Sequence, residues 1–345
     1  MNNNHYFKYG DMDGRKTKVP TKLYREITPS EIKKIVHDLH GSNAVVKECN
    51  PLSGGNMNSN YLLKTNQDKN GLVLRVAPPP EVKHYMFDFH KDMMSAEPLF
   101  HKLLEEKDIP TVKVIKYAPE NTVIGREYMI SEYLPSIAMN DSSLKSVDLA
   151  PLYKEVGGYI RKLHTITDDK YGWKRPGSSH SEFDTWPQFV LAYMAEVADR
   201  CEEHDLFERS HIQFLREIFN DNITLFDGVE TPNMIHKDLH EGNILINQQN
   251  GEYKVAAIID MGWVIFGDRK WEFLSRCMIN QNFLDGYGEN VPQDTKFKKM
   301  SLLYKLLHGF FSAYVVMIEY GFEDWYENEK NDVLALISEI ENTIE

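Results

Sequence analysis

The sequence predicts an α+β fold of two lobes, a β-rich N-terminal lobe followed by a mainly helical C-terminal lobe. Runs typical of strands follow one another over residues 44–134, whereas the rest of the chain shows mostly helical patterns. No internal repeat or long linker interrupts the 345 residues, which suffice for one large or two modest domains. We expect an arm and helix over 1–42, the first lobe over 43–134 and the second over 135–345, with a cleft between the lobes.

The composition is that of an ordinary globular protein with an acidic surface. Hydrophobic residues make up 42% of the chain, and 39 basic against 52 acidic residues give a formal net charge of −13. This balance argues against nucleic acid or an anionic membrane as the main partner and is compatible with a cationic small molecule. We find no signal peptide and no uninterrupted apolar run of about 18 residues. Three well-separated cysteines suit a reducing, cytoplasmic location, and the sequence leaves the oligomeric state open.

The first lobe should begin with a capped helix. Thr28, Pro29 and Glu31 form the pattern of a helix start, and Gly41 would follow its end. Strands are then expected over residues 44–52, 60–65, 72–77, 112–117 and 127–134. The segment Ser131-Glu132-Tyr133-Leu134-Pro135 would link the lobes, where main-chain groups can meet the edge of an adenine ring.

A glycine-rich loop, SGGNMNS, joins the first two expected strands. Gly54 and Gly55 would expose backbone N–H groups, as the phosphates of a nucleotide require, although an ordinary turn can have the same composition. The third strand carries a single charge, Arg75, which could contact the phosphates. Glu97, in a helix expected over 87–106, could orient Arg75 through an ion pair, and Pro98 predicts a kink or restart of that helix.

The most informative stretch covers residues 235–260 and reads IHKDLHEGNILINQQNGEYKVAAIID. Two β-type runs flank its central turn, which predicts a hairpin that brings Asp238, Asn243 and Asp260 together. One carboxylate can orient a hydroxyl and receive its proton, while a second carboxylate and an amide oxygen can hold Mg²⁺ against phosphates. The spacing H-x-D-x-x-x-x-N followed by I-I-D therefore indicates phosphoryl transfer from a nucleotide.

Two other interpretations of this stretch remain open. It could be a hairpin with ordinary polar turn residues. Alternatively, His236, Asp238 and His240 could form a transition-metal site if an extended strand placed all three on one face.

The second lobe is expected to consist mainly of helices, over residues 148–166, 182–226, 298–320 and 323–343. Asp268 could cap a further helix that it opens together with Glu272. Acidic residues cluster in two places: eight acids stand against one base over 182–208, and nine against one over 319–345.

Together these motifs resemble the aminoglycoside phosphotransferase and choline-kinase-like group of small-molecule kinases, which share the protein-kinase fold. The resemblance rests on LSGGNMNSNYLL, LVLRV, the Glu97 helix, ISEYLP, IHKDLHEGN, IIDMGW and FGDRKWEF, which extend over most of the chain. LVLRV and IFGDRKWEF are most similar to the hygromycin B phosphotransferase branch, where Arg also stands in the strand position that usually carries Lys.

The resemblance implies a role for each matching residue. Asp238 would be the catalytic base, Asn243 and Asp260 the Mg²⁺ ligands, and His236 a brace of the catalytic loop. The residues expected to bind the nucleotide, ATP or GTP, are Gly54, Gly55, Asn56, Asn58, Ser59, Arg75, Glu97, Glu132 and Leu134.

A small molecule is the expected acceptor. His240 stands where protein kinases place Lys, and no A-P-E segment follows Asp260, so a protein substrate is not expected. In the resembling antibiotic kinases acids hold ammonium groups, which makes Asp184, Asp268 and Glu272 candidate substrate residues. The primary hypothesis is an O-phosphotransferase for an aminoglycoside or a related cationic antibiotic. The alternatives are a metabolic kinase of the choline, homoserine or methylthioribose type, and a nucleotide-binding regulator without turnover.

Overall fold

The computed structural model describes residues 21–52, 56–120, 122–175, 182–274 and 279–343. They form a β-sheet lobe and a helical lobe, so the expected two-lobed α+β fold is confirmed. The expected glycine pair, Gly54 and Gly55, lies outside the described residues.

The N-terminal lobe is built on a five-stranded antiparallel sheet of order β1-β2-β3-β5-β4. In chain order its elements are α1 (Pro29–His40), β1 (Val46–Pro51), β2 (Ser59–Thr65), β3 (Leu72–Val76), α2 (Asp88–Lys91), α3 (Met93–Glu106), β4 (Val114–Ala118) and β5 (Tyr128–Glu132). In the central strand β3, alternate side chains are buried against the lobe's core, which puts Arg75 on the opposite face of the sheet.

The sequence predicts a capped start for α1 and a kink or restart at Pro98 of the later helix. Thr28 accepts a hydrogen bond from the Glu31 backbone, and the Glu31 carboxylate accepts one from the Thr28 backbone, so the expected capping box is present. The helix does not restart at Pro98, and the kink expected there as the alternative stays a prediction. The helix is interrupted earlier, at Asp92, whose φ of −120° and ψ of 26° are not helical, and Pro98 lies inside α3.

The C-terminal lobe contains most of the helices. Its elements are β6 (Ile137–Ala138), α4 (Ala150–Leu163), α5 (Trp186–Glu203), α6 (Arg209–Asp221), β7 (Asn233–Ile235), β8 (Ile244–Gln249), β9 (Glu252–Ile258), β10 (Ile265–Gly267), α7 (Gln281–Tyr287), α8 (Thr295–Tyr314) and α9 (Glu323–Glu341). The helical stretch expected over 182–226 contains two α-helices, and Asp205, with a φ of 51°, lies at the turn between α5 and α6.

A hairpin of β8 and β9 positions the candidate site. Its two-residue turn, Asn250–Gly251, has positive φ at both positions, 52° and 87°, as the tightest hairpin turns require. The register pairs Ile244 with Ile258. The Ile259 N–H consequently donates to the Asn243 carbonyl at 3.0 Å, which sets Asn243 beside the residue that precedes Asp260.

The core of the larger lobe forms around α8. This helix continues as a π-helix over Val315–Tyr320, and the combined segment Thr295–Tyr320 is, by length and composition alone, apolar enough to cross a membrane. However, 78% of its most apolar window is buried inside the protein, as expected of a central core helix. A count of uninterrupted apolar residues misses this helix because a few polar residues divide it.

Candidate active site

The expected catalytic base lies on the loop between β7 and a short 3₁₀ turn, Glu241–Asn243. The Asn243 side-chain amide donates to the Asp238 carbonyl at 2.9 Å and to its carboxylate Oδ2 at 3.1 Å. The Asp238 side chain keeps 21% of its surface exposed. Burial raises the pKa of this carboxyl, and the nearby His240 opposes the rise. A partly open carboxylate with a raised pKa suits proton acceptance from a hydroxyl.

His236 holds this loop against the segment that carries Asp260. Its Nδ1 accepts a hydrogen bond from the Asp238 N–H at 3.3 Å, and its Nε2 lies 3.0 Å from the Ile259 carbonyl as donor. Both ring nitrogens are therefore engaged, so the transition-metal interpretation of His236, Asp238 and His240 is wrong. Across the described ranges, no group of three His, Cys, Asp or Glu side chains has a metal-binding arrangement.

Glu272, expected to contact substrate, instead braces the loop that carries Asp238 from inside the protein. Its carboxylate accepts the His236 N–H at 2.7 Å on Oε2 and the Lys237 N–H at 3.2 Å on Oε1. Only 1% of the side chain is exposed. Because both oxygens are occupied by backbone donors, the expectation of a substrate contact is wrong, and Glu272 positions the loop.

The other two acids expected at the substrate also have other contacts. Asp268 is buried and accepts the Lys270 N–H at 3.0 Å, so it caps the 3₁₀ turn that follows it and does not face a ligand. Burial raises the pKa of its carboxyl. Asp184 is exposed ahead of α5 and pairs with Lys170 at 2.5 Å. A substrate contact is therefore wrong for Asp268 and stays a prediction for Asp184.

Arg75 joins the two lobes through two carboxylates. Its guanidinium donates to Glu97 Oε2 at 2.6 Å and to Asp260 Oδ1 at 3.0 Å. Glu97 is 1% exposed and Arg75 16%. Burial alone would lower the pKa of Arg75, but Glu97 and Asp260 outweigh it and raise the pKa above its ordinary value. The expected pair of Arg75 and Glu97 is thus present, with Asp260 as a further partner.

The turn that carries Asp260 is held on two sides. Asp260 has a left-handed backbone, with φ 64° and ψ 52°, and Gly262 follows it in a 3₁₀ turn. The buried Arg175 donates to the Gly262 carbonyl. Arg175 could not be found from the sequence, because a single arginine in a loop has no motif that marks it.

The donors at this turn fit Mg²⁺. The amide nitrogen of Asn243 is used by Asp238, so its amide oxygen is the atom that could coordinate a metal. Asp260 adds a carboxylate on the neighbouring segment, and Mg²⁺ prefers such hard oxygen ligands.

Among the residues expected over the phosphates, Asn56 and Asn58 begin the described part of the loop after the glycines. The Asn56 carbonyl accepts the Thr21 hydroxyl at 2.8 Å, which ties the loop to the arm that precedes α1. The expectation for Ser59 is wrong, because its buried hydroxyl donates to the Arg25 carbonyl at 2.9 Å.

The expected adenine contacts lie at the link between the lobes. The Glu132 N–H donates to the Lys113 carbonyl at 3.0 Å, and the Leu134 carbonyl accepts the Ser136 hydroxyl at 2.9 Å. The main-chain groups of Glu132 and Leu134 stay the predicted contacts to adenine.

A β-sheet lobe and a helical lobe that meet at a base, an amide and an acid define a phosphotransferase with a protein-kinase-like fold. Residues 48–294 match the model of the phosphotransferase enzyme family, and the chain belongs to this family. The resemblance inferred from the motifs is thereby confirmed at the family level, while placement in the hygromycin B branch stays a prediction. A search of curated proteins gave no match.

Solved structures share the fold over most of their length. A candidate fructosamine-3-kinase from Haemophilus somnus 129PT has a TM-score of 0.63 and 19% identity, with 90% of this chain and 96% of that chain covered. A thermostable mutant of aminoglycoside phosphotransferase APH(4)-Ia, bound to AMP-PNP and hygromycin B, has a TM-score of 0.63 and 17% identity, with coverages of 89% and 98%. ADP-bound APH(2'')-Ib has a TM-score of 0.57 and 18% identity, with coverages of 90% and 97%.

Proposed function

We propose that the chain transfers the γ-phosphate of ATP to a hydroxyl of a small molecule. The observation that supports this proposal is the contact of Asn243 with both functional segments. Its side-chain amide nitrogen donates to Asp238 Oδ2 at 3.1 Å. Its backbone carbonyl accepts the N–H of Ile259, the residue that precedes Asp260. One site therefore combines a proton acceptor with two oxygen donors for a metal. The nucleotides in the similar solved structures also support ATP as the phosphate donor.

Each residue would have a separate task in the transfer. The acceptor hydroxyl would donate a hydrogen bond to the Asp238 carboxylate, which orients its oxygen toward the γ-phosphorus. As the new oxygen–phosphorus bond forms, the hydroxyl proton passes to Asp238, and the bond from the γ-phosphorus to the ADP oxygen breaks. Arg75, oriented by Glu97, would contact the phosphates.

Asn243 and Asp260 would hold the metal on which such kinases depend. When bound, Mg²⁺ supplies positive charge that neutralises the phosphate oxygens. Because Arg75 contacts Oδ1 of Asp260, Oδ2 is the carboxylate oxygen that would coordinate the metal.

The observations that bear on the charge of the acceptor molecule differ from those that support phosphoryl transfer. The net charge of −13 and the acidic clusters support a cationic acceptor such as an aminoglycoside, as in an antibiotic-resistance enzyme. Against it, Asp268 and Glu272 are engaged by backbone amides and cannot hold an ammonium group. We therefore propose a small-molecule hydroxyl without assigning it a positive charge, and a metabolic kinase remains the second candidate.

The test is substitution of the base. Asp238→Asn keeps the shape of the side chain but cannot accept a proton, so acceptor-dependent ADP formation should fall about a thousandfold. Nucleotide binding, measured by titration, should persist. Asp199→Asn, in an exposed ion pair with Arg216, is the matched control and should keep full activity.

The acceptor panel should contain aminoglycosides, ketosamines, amino alcohols and aromatic alcohols. Turnover retained by Asp238→Asn would contradict the role of Asp238. Nucleotide binding without consumption across the whole panel would favour a regulator without turnover.

A further inference from the structure

The residue that precedes the catalytic base ends in a cage of aromatic rings. Lys237 has a left-handed backbone, with a φ of 66°, which is uncommon for a residue other than glycine. Its Nζ lies 5.0 to 5.5 Å from five ring centroids, those of Trp173, Tyr193, Trp263, Trp271 and Phe311. These distances are within the range of cation–π attraction. The rings come from separate segments of the C-terminal lobe, so the fold itself builds this cage.

The cage is closed on most sides but keeps accessible surface. Trp173, Tyr193, Trp271 and Phe311 are buried, whereas Lys237 and Trp263 are only partly buried. Lys237 is the direct neighbour of Asp238, and Trp263 lies three residues after Asp260. The accessible part of the cage therefore belongs to the two segments that carry the base and a predicted metal ligand.

The ammonium group in this cage has no carboxylate partner within ion-pairing distance among the residues that the structure describes. Glu272, which reaches the same loop, uses both oxygens for the backbone N–H groups of His236 and Lys237. Burial lowers the pKa of Lys237 to about 7, with Asp238 opposing and the nearby Arg175 adding to the decrease. Two basic side chains, Lys237 and Arg175, thus lie near each other in a chain that is acidic overall.

We propose that this cage is the acceptor site, and that the acceptor carries an anionic group, a carboxylate or a phosphate, on a flat apolar body that also bears the reacting hydroxyl. The anionic group would pair with the Lys237 ammonium, and the partly exposed ring of Trp263 would pack against the apolar body. The inference rests on the proposed function, because it names the acceptor class of the same phosphoryl transfer.

A cationic acceptor suits this site poorly. The aromatic cage already contains an ammonium group, and a second cation would face repulsion from Lys237 and Arg175. An anion instead supplies the missing counter-charge. This makes the sign of the acceptor's charge the property to measure.

The experiment compares three aromatic alcohols that share one ring and one hydroxymethyl group and carry an anionic, a neutral or a cationic group in the para position. They are para-hydroxymethyl benzoate, para-hydroxymethyl benzamide and para-hydroxymethyl benzyl trimethylammonium. Binding is followed by quenching of tryptophan fluorescence, because three of the five tryptophans of the chain line the cage. Turnover is followed by ADP formation. We expect the benzoate to bind about tenfold more tightly than the other two, the effect of one added ion pair.

Variants of Lys237 separate recognition from structure. Lys237→Met fills the cage without a charge and should abolish the preference for benzoate, raising its KM about tenfold with a smaller effect on kcat. Lys237→Arg retains the charge and should retain the preference. Lys330→Met is the matched control, because Lys330 also lies over a ring, that of Tyr326 on α9, at 5.4 Å; it should behave as the unmodified protein.

The outcomes distinguish this inference from the proposed function. Turnover with equal binding of the three alcohols, or with tighter binding of the trimethylammonium compound, would overturn the anionic acceptor and leave the kinase function standing. Selective benzoate binding without any turnover would support the cage and contradict the kinase function. Absence of binding by all three, or an equal loss for all three in Lys237→Met together with a lower melting temperature, would also overturn the inference.

Discussion

Arg75 donates to Asp260 Oδ1 at 3.0 Å, so a cation of the central N-lobe strand contacts the acid that we expect to bind the metal. The same guanidinium donates to Glu97 at 2.6 Å through its other terminal nitrogen. The planar fork of arginine allows both contacts at once, which a single ammonium group does not reproduce. Arg75, which we expect to contact the phosphates, is thereby linked directly to the predicted metal ligand Asp260.

We expect Arg75→Lys to weaken nucleotide binding about tenfold, because lysine offers one shorter-reaching nitrogen in place of the two terminal nitrogens that contact Glu97 and Asp260 separately. Titration of the variant with ADP and Mg²⁺ measures this loss. Lys64→Arg, on the adjacent strand β2 and in an exposed ion pair with Glu48, provides the control. Unchanged nucleotide affinity in Arg75→Lys would show that the fork is not needed.

Glu272→Gln tests the brace beneath the catalytic loop. An amide offers one acceptor oxygen where the carboxylate offers two, so its NH₂ group would face the N–H of either His236 or Lys237. The buried mismatch should cost about 1–3 kcal/mol of unfolding free energy. It should also lower kcat, because the loop carries Asp238, the expected base.

Thermal denaturation and steady-state kinetics measure both effects of Glu272→Gln. Glu289→Gln removes an exposed carboxylate that pairs with Arg269 at 2.9 Å, and should change neither quantity appreciably. A higher KM with unchanged kcat in Glu272→Gln would instead favour the original expectation that Glu272 contacts the substrate.

That the expected base and the predicted metal ligands lie close together could be predicted from the sequence because their spacing is local. The hairpin between Asn243 and Asp260 has a two-residue turn at Asn250–Gly251, and turn chemistry together with alternating side chains fixes its register. The capping pattern predicted the start of α1 for the same reason, since Thr28 and Glu31 are only three residues apart.

The remainder of the site depends on burial and on contacts between distant segments, which a single sequence does not display. Glu272 and Asp268 have the composition of substrate-binding acids, but the fold buries both and directs backbone N–H groups to them. The rings around Lys237 come from positions 173 to 311, and no spacing rule connects them. Ser59 belongs to the expected loop by sequence. In the structure it is the first residue of β2, and the alternation of side chains along this strand directs its side chain into the protein.

Two adjacent glycines of α4 should respond in opposite ways to substitution by alanine. A Cβ on Gly157 would lie 2.1 Å from the Phe283 carbonyl of α7, whereas a Cβ on Gly158 would have as its nearest neighbour the Gly286 carbonyl, at 3.9 Å. Gly157→Ala must separate the helices and should cost about 3 kcal/mol of unfolding free energy. Gly158→Ala should be neutral or stabilise by up to about 1 kcal/mol, because alanine favours the helix.

Chemical denaturation of both glycine variants measures this difference. Since both substitutions add the same methyl group to the same helix, their difference isolates the contact with α7. Equal stability of the two variants would show that α4 and α7 do not pack as closely as the structure indicates.

Glu127 should make the stability of the protein depend on pH. Its carboxyl is 3% exposed and accepts the Tyr117 hydroxyl at 2.6 Å. Burial raises its pKa from 4.5 to about 7, against the opposing effects of the Tyr117 hydrogen bond and Lys83. Between these two values the folded protein binds a proton that the unfolded chain has released, so stability is greatest below pH 4.5 and falls until the pH passes 7. Because each tenfold change in proton affinity corresponds to about 1.4 kcal/mol, the loss is on the order of 3 kcal/mol.

Glu127→Gln removes this titration while its amide oxygen can still accept the Tyr117 hydroxyl. The unfolding free energy of the variant, measured from pH 5 to pH 8, should therefore decline less than that of the unmodified protein, by on the order of 3 kcal/mol. Glu196 and Glu329, whose pKa values burial also raises to about 7, contribute the same decline to both proteins and cancel in the comparison. Glu106→Gln, at an exposed carboxylate, should leave the pH profile unchanged. Parallel profiles for Glu127→Gln and the unmodified protein would mean that Glu127 releases its proton at the same pH in the folded and unfolded states.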